Sequence, residues 1–71
     1  MERITLTPRE YDVLVRLNIA NKEIANELYI TERTVKAVVN SLSQKFRVRS
    51  RSAIIIRALK FGLVELAAFR L

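Results

Sequence analysis

Asn21-Lys22-Glu23-Ile24-Ala25-Asn26-Glu27-Leu28-Tyr29-Ile30-Thr31-Glu32-Arg33-Thr34-Val35-Lys36 is the stretch on which the fold turns. Ile24, Ala25 and Leu28 repeat at helical spacing and mark one face of a short helix. Tyr29-Ile30-Thr31 leaves room only for a brief turn, with Ile30 apolar just before Thr31, the expected N-cap of the next helix. A turn this short forces the two helices to cross. The second of them is predicted from about Glu32 to Phe46. At about 100° per residue, Val35, Val39, Leu42 and Phe46 fall in a narrow arc that faces a core, with Val38 on its flank. The opposite arc carries Arg33, Lys36, Ala37, Asn40, Ser41 and Gln44 and no acid. An exposed helical face normally mixes both signs to gain i,i+4 pairs, and this one does not.

Working outward, Leu6-Thr7-Pro8-Arg9-Glu10 opens a first helix near residues 8 to 17. Thr7 can cap, Pro8 suits the first helical position, and Glu10 completes a capping box. Its expected buried stripe is Leu6, Val13, Leu14 and Leu17, with Tyr11 and Val15 at the edges, and Asn18 is the expected left-handed stop. On the other side, Arg47-Val48-Arg49-Ser50-Arg51-Ser52 reads as a connector with alternating arginines. Ala53 to Phe61 follows as a fourth helix closed by Gly62. The fold class is therefore all-α, a compact four-helix domain spanning residues 1–71 and containing a helix-turn-helix.

Composition agrees. With 71 residues, 51% hydrophobic, the chain can fill one small core and not two. One glycine and one proline argue against linkers and disorder. No cysteine and no histidine remove disulfides, thiol nucleophiles, Cys/His metal sites and imidazole chemistry. No carboxylate pair or Ser/Lys constellation stands out either, so no enzyme activity and no cofactor or metal is expected. Arg57, Lys60 and Glu65 interrupt the apolar C-terminal stretches, which excludes a membrane span, and Met1-Glu2-Arg3 does not open a secretory signal; the expected location is cytoplasmic. Thirteen Lys+Arg against seven Asp+Glu leave +6, a balance that suits a polyanionic partner.

The residue types on the acid-free arc suit a DNA major groove. Lys36 can donate to guanine O6/N7, Asn40 and Gln44 can pair with adenine N6/N7, and Ala37 is small enough to meet a thymine methyl. A solvated helix face explains this arc equally well on its own. Lys22, Arg33, Arg49 and Arg51, however, all lie at or near predicted helix N-termini, where the macrodipole disfavours a cation by about 0.3 to 1 kcal/mol. A bound phosphate reverses that sign, because free N–H groups and cations then converge on one anion.

The sequence resembles the LuxR/GerE-type helix-turn-helix, also found as the effector domain of NarL/FixJ-like response regulators. The segments that carry the resemblance are Leu6-Thr7-Pro8-Arg9-Glu10, Asn21-Lys22-Glu23-Ile24-Ala25, Ile30-Thr31-Glu32-Arg33-Thr34-Val35-Lys36 and Val48-Arg49-Ser50-Arg51, covering nearly the whole chain. It implies a third helix that lies in the major groove and dimerisation through the fourth. By motif position, Lys36, Ala37 and Asn40 match base-reading positions, and Lys22, Thr31, Arg33, Thr34, Arg49 and Arg51 match phosphate contacts. The departures are a short Asn18-Ile19-Ala20 connection without the usual glycine, Ala20 where a capping serine is common, Val38 for a frequent histidine, Arg47 for a frequent glycine, and Ile54 for a frequent alanine. Without a serine at 20, Asn21 is the alternative cap.

The leading expectation is a sequence-specific double-stranded DNA binder acting in transcriptional regulation, either whole or as the effector domain of a response regulator, with RNA polymerase kept open as a further partner. Its rival is a protein-interaction module that docks through the apolar fourth helix and the tail from Val64 to Leu71. A nonspecific or RNA-binding coat is disfavoured because no aromatic interleaves the basic face. The fourth helix is apolar on more than one side, so part of it should stay exposed, and Ile54, Ile55 and Leu59 are the expected homodimer contacts. The alternative is that Leu66, Phe69 and Leu71 fold back over that side and leave a monomer.

Overall fold

The computed structural model describes residues 3–70. Helix α1 spans Pro8–Leu14, α2 Asn21–Leu28, α3 Glu32–Phe46 and α4 Arg51–Lys60, and a single 3-10 turn follows at Leu66–Ala68. No strand occurs among the described residues, and none of their helices is long and apolar enough to cross a membrane. Helix α3 is the centre of the domain, with α1, α2 and α4 each packed against it. Val13, Leu14, Ile24, Val35, Leu42, Phe46, Ile54 and Ala58 form its almost solvent-free interior.

The expected capping box is present. Thr7 Oγ1 accepts from the Glu10 N–H at 3.1 Å, and Glu10 Oε1 accepts from the Thr7 N–H at 2.9 Å. Glu10 does more than cap. It is buried, and its carboxylate also accepts from Lys45 Nζ at 2.6 Å and Ser41 Oγ at 2.9 Å, tying α1 to α3. Ser41 therefore belongs to this inward cluster and not to the open arc of α3. Burial is the largest single influence on Glu10 and raises its pKa. The hydrogen bonds from Lys45, the Thr7 N–H and Ser41, with the Lys45 charge, together outweigh burial and lower the pKa from 4.5 to about 2.

Helix α1 is shorter than its apolar pattern. After Leu14 the chain tightens into successive i→i−3 bonds, Arg16 to Val13, Leu17 to Leu14 and Ile19 to Arg16. Val15 and Leu17 stay buried through this turn, so hydrophobic periodicity outlasts the helix. Asn18 does not provide the left-handed stop; that conformation occurs at Tyr29, Arg47 and Gly62 among the described residues.

Those three residues close α2, α3 and α4 in the same way. The next N–H reaches back six residues' span in each case, Ile30 to Ala25, Val48 to Ser43 and Leu63 to Ala58, which is the Schellman closure. Only Gly62 adopts its φ of 70° without a Cβ; Tyr29 and Arg47 each hold φ 57° as L residues.

Beyond α4 the tail crosses to the far end of α1. Val64 is buried, the Arg70 N–H donates to Val15 O at 2.7 Å, and the Asn18 amide donates to Arg70 O. Arg70 Nε and Arg16 Nε both donate to Glu27, at 2.9 and 3.0 Å. The Arg16 hydrogen bond lowers the Glu27 pKa first, helped by Arg70 and opposed by partial desolvation. The tail thus anchors against α1 and α2. It leaves Leu66 75% exposed, and Ile56 and Phe61 on the α4 side remain about half exposed at 52% and 53%. Leu71 lies outside the described residues.

Candidate nucleic-acid interface

Helices α2 and α3 are joined by the expected turn. Tyr29 closes α2, and Thr31 caps α3 by accepting from the Thr34 N–H at 3.1 Å, with the two hydroxyls 3.0 Å apart. Ile24, Ala25 and Val35 lock the crossing from inside. This fixes the phase of α3: Val35, Leu42 and Phe46 turn inward, while Arg33, Lys36, Ala37, Asn40 and Gln44 are exposed.

Lys36, Ala37 and Asn40 line one shallow depression together with Asn21, Val39 and Ser43. Asn40 and Gln44 continue into a second with Ser43, Arg47, Val48 and Arg49. The four expected base-reading residues thus follow one open face, bordered by α2 at one end and by Arg49 at the other. Asn21 and Ser43 join this face without having been anticipated; both are small polar residues that no periodicity argument separates from packing.

The basic residues divide into two groups. Lys22, Arg33, Lys36 and Arg49 are exposed and enter no ion pair among the described residues. Arg51 is different. Its Nε donates to Leu17 O at 3.0 Å, its Nη2 to Ile19 O at 2.7 Å, and its Nη1 to Asn21 Oδ1 at 2.5 Å. Burial lowers its pKa below the ordinary arginine value. The expectation that Arg51 holds a phosphate is corrected: its guanidinium fork satisfies the carbonyls of the α1–α2 connection, which a short loop without glycine leaves pointing at α4. Asn21 accordingly does not cap α2; Ala20 stands at the N-cap with no side-chain bond. The first turn of α2, beside Lys22, keeps its N–H groups free of any side-chain cap.

On α4, Ser50 caps by accepting from the Ala53 N–H at 3.1 Å, which starts the helix two residues before the expected Ala53. The expected dimer contact Ile54 is corrected as well. It is 0% exposed and faces α3 with Ala58, whereas Ile55 and Leu59 are partly buried and Ile56 stands out. Phe61 stacks on the core ring of Phe46, centroids 6.3 Å apart.

Residues 4–58 match the family model described as bacterial regulatory proteins, luxR family. Among curated proteins, the chain is 44% identical over 64 residues to the transcriptional regulatory protein LnrK of Bacillus subtilis, covering 87% of this chain and 29% of LnrK. It is 40% identical over 63 residues to the spore germination protein GerE of the same organism, covering 86% of this chain and 85% of GerE. With the nitrate/nitrite response regulator protein NarP of Escherichia coli it shares 50% over 50 residues, 68% of this chain and 23% of NarP. The chain thus spans under a third of LnrK and NarP but most of GerE. The match, the four helices and the crossed α2–α3 pair lead to one conclusion: the chain belongs to the LuxR/GerE family of bacterial transcriptional regulators, as its helix-turn-helix domain.

Proposed function

We propose that this domain recognises a specific double-stranded DNA sequence by laying the open face of α3 in the major groove, and so positions a transcriptional regulator. The observation that carries this is the face itself: Lys36, Ala37, Asn40 and Gln44 in line, exposed and free of acids. Lys36 reads guanine, Asn40 and Gln44 read adenine, and Ala37 meets a thymine methyl. Lys22, Arg33 and Arg49, with the Thr31 and Thr34 hydroxyls, hold phosphates, and the uncapped first turn of α2 adds its N–H groups to that of Lys22.

The domain pairs two-fold on an inverted repeat through the outer side of α4. Ile55 and Leu59 lie one turn apart on α4, partly buried against the core, and Ile56 beside them is 52% exposed. Recognition helices about 34 Å apart would then meet successive major grooves. A cytoplasmic location belongs to the same reading, and RNA polymerase is a further partner if the bound regulator acts as an activator.

Selection of bound duplexes from a random pool tests the proposal. Enrichment of one sequence, bound at least tens-fold more tightly than random duplex, supports it. Equal affinity for all duplexes would contradict it.

A further inference from the structure

We infer that Asn21 is a further DNA contact, its side-chain amide donating to a backbone phosphate at the α2 end of the recognition face, an assignment that rests on the DNA reading above. A carboxamide carries one acceptor oxygen and one NH2 donor group. In Asn21 the two have different surroundings. Arg51 Nη1 donates to Asn21 Oδ1 at 2.5 Å, and because a guanidinium has donors only, the oxygen must be the atom turned toward Arg51. The orientation of the amide is thereby fixed by chemistry. Its Nδ2 is left with no hydrogen-bond partner among the described residues.

That donor belongs to the recognition face. Asn21 is partly exposed and lines one depression with Lys36, Ala37, Val39, Asn40 and Ser43, none of them acidic. It enters the depression as the first residue of α2, whereas the other five belong to α3. The division of the amide also decides what it can take. Pairing with adenine N6 and N7 needs the oxygen and the nitrogen of one amide together, and the Asn21 oxygen is engaged within the fold. A lone donor at the edge of the face, next to exposed Lys22, suits a phosphate oxygen. A purely structural Asn21 would need only the oxygen that Arg51 holds, and replacing its nitrogen would then leave DNA binding unchanged.

Asn21→Asp separates the two roles, because it keeps an oxygen for Arg51 and replaces the NH2 donor by a second acceptor. Asn26→Asp places the same charge at an exposed position of α2 outside the depression and serves as its control. Asn21→Ala removes the donor without adding charge. Melts show that each variant is folded, and binding to a selected duplex and to a random-sequence duplex is followed from about 50 to 200 mM salt. Asn21→Asp should melt no lower than the unsubstituted chain, since a carboxylate in the first turn of α2 suits the helix dipole. It should nevertheless bind both duplexes at least about tenfold more weakly than Asn26→Asp does. Asn21→Ala should lose about tenfold on both duplexes with an unchanged salt slope, because a neutral donor displaces no counterion. A folded Asn21→Ala that binds like the unsubstituted chain, or an Asn21→Asp that binds like Asn26→Asp, overturns the assignment of Asn21 alone. Loss confined to the selected duplex also overturns it, by making Asn21 a base reader. Failure of the unsubstituted chain to bind either duplex overturns both this assignment and the DNA reading.

Discussion

Lys45 Nζ sits 2.6 Å from Glu10 Oε1, so the capping carboxylate of the first helix is also the buried partner of a lysine near the end of the recognition helix. One residue thereby sets both where α1 begins and how α3 lies against it. The Glu10 side chain is 8% exposed and the Lys45 side chain 35%, so the pair is screened from water on the carboxylate side.

Acid should therefore destabilise the domain in a defined window. The Glu10 pKa is depressed in the folded state, from 4.5 to about 2, so its contribution is fully present above about pH 4.5 and is lost as pH falls through 2. At 1.36 kcal/mol per pKa unit the contribution is about 3 kcal/mol. Urea melts at steps from pH 6 to pH 2 should show this decline, and Glu10→Gln should flatten it. An equally steep decline in Glu10→Gln would place the acid sensitivity elsewhere.

Arg51 is expected to act on stability and not on DNA. Arg51→Ala removes three donors from Leu17 O, Ile19 O and Asn21 Oδ1 and should lower stability by about 1 to 3 kcal/mol. The salt dependence of duplex binding by the folded variant should match the unsubstituted chain. A slope reduced by about one would return Arg51 to the phosphate contacts.

This residue also shows what the sequence hides. A cation near a helix start looks the same whether it awaits a phosphate or braces a loop; only the α1–α2 carbonyls, more than thirty residues earlier, distinguish the two. The bounds of α2 and α3 were legible from their apolar faces and from Thr31, which caps α3 across a short turn; their stops, Tyr29 and Arg47, carry no glycine signal. The end of α1 was not, since Val15 and Leu17 remain buried in the turn that follows it and continue the helical pattern. The start of α4 was missed because Ser50, its cap, sits among alternating arginines. The exposed face of α3 was legible except for Ser41, which a buried carboxylate on another helix draws inward.

Leu42→Ala should cost about 2 to 5 kcal/mol, because Leu42 is 0% exposed on the helix to which the other three pack. A domain of this size holds only about 3 to 5 kcal/mol in reserve, so circular dichroism should show a largely unfolded population at 25 °C. A melt close to the parent's would contradict the phase of α3.

Tyr29→Gly should raise stability by about 0.5 to 1 kcal/mol. Left-handed backbone costs an L residue about 1 to 2 kcal/mol, and the greater freedom of glycine in the unfolded chain returns about 0.4 to 1 of that. Tyr29 is 95% exposed, so little packing is lost with its ring. A lower denaturation midpoint would mean that the tyrosine makes a stabilising contact after all.

The four-residue apolar run of α4 separates packing from pairing at neighbouring positions. Ile54 is fully buried, so Ile54→Ala should cost about 2 to 5 kcal/mol and impair binding only through unfolding. Ile56 is 52% exposed, so Ile56→Glu should leave the melt within about 0.5 kcal/mol of the parent. If α4 is the two-fold contact, that same substitution should abolish cooperative filling of an inverted-repeat duplex as protein concentration rises, while binding to a single half-site is unchanged. Sedimentation of the protein–duplex mixture gives the stoichiometry, two chains per inverted repeat for the parent. One chain saturating the whole site, or cooperativity retained in Ile56→Glu and in Ile55→Glu alike, would remove α4 as the pairing surface.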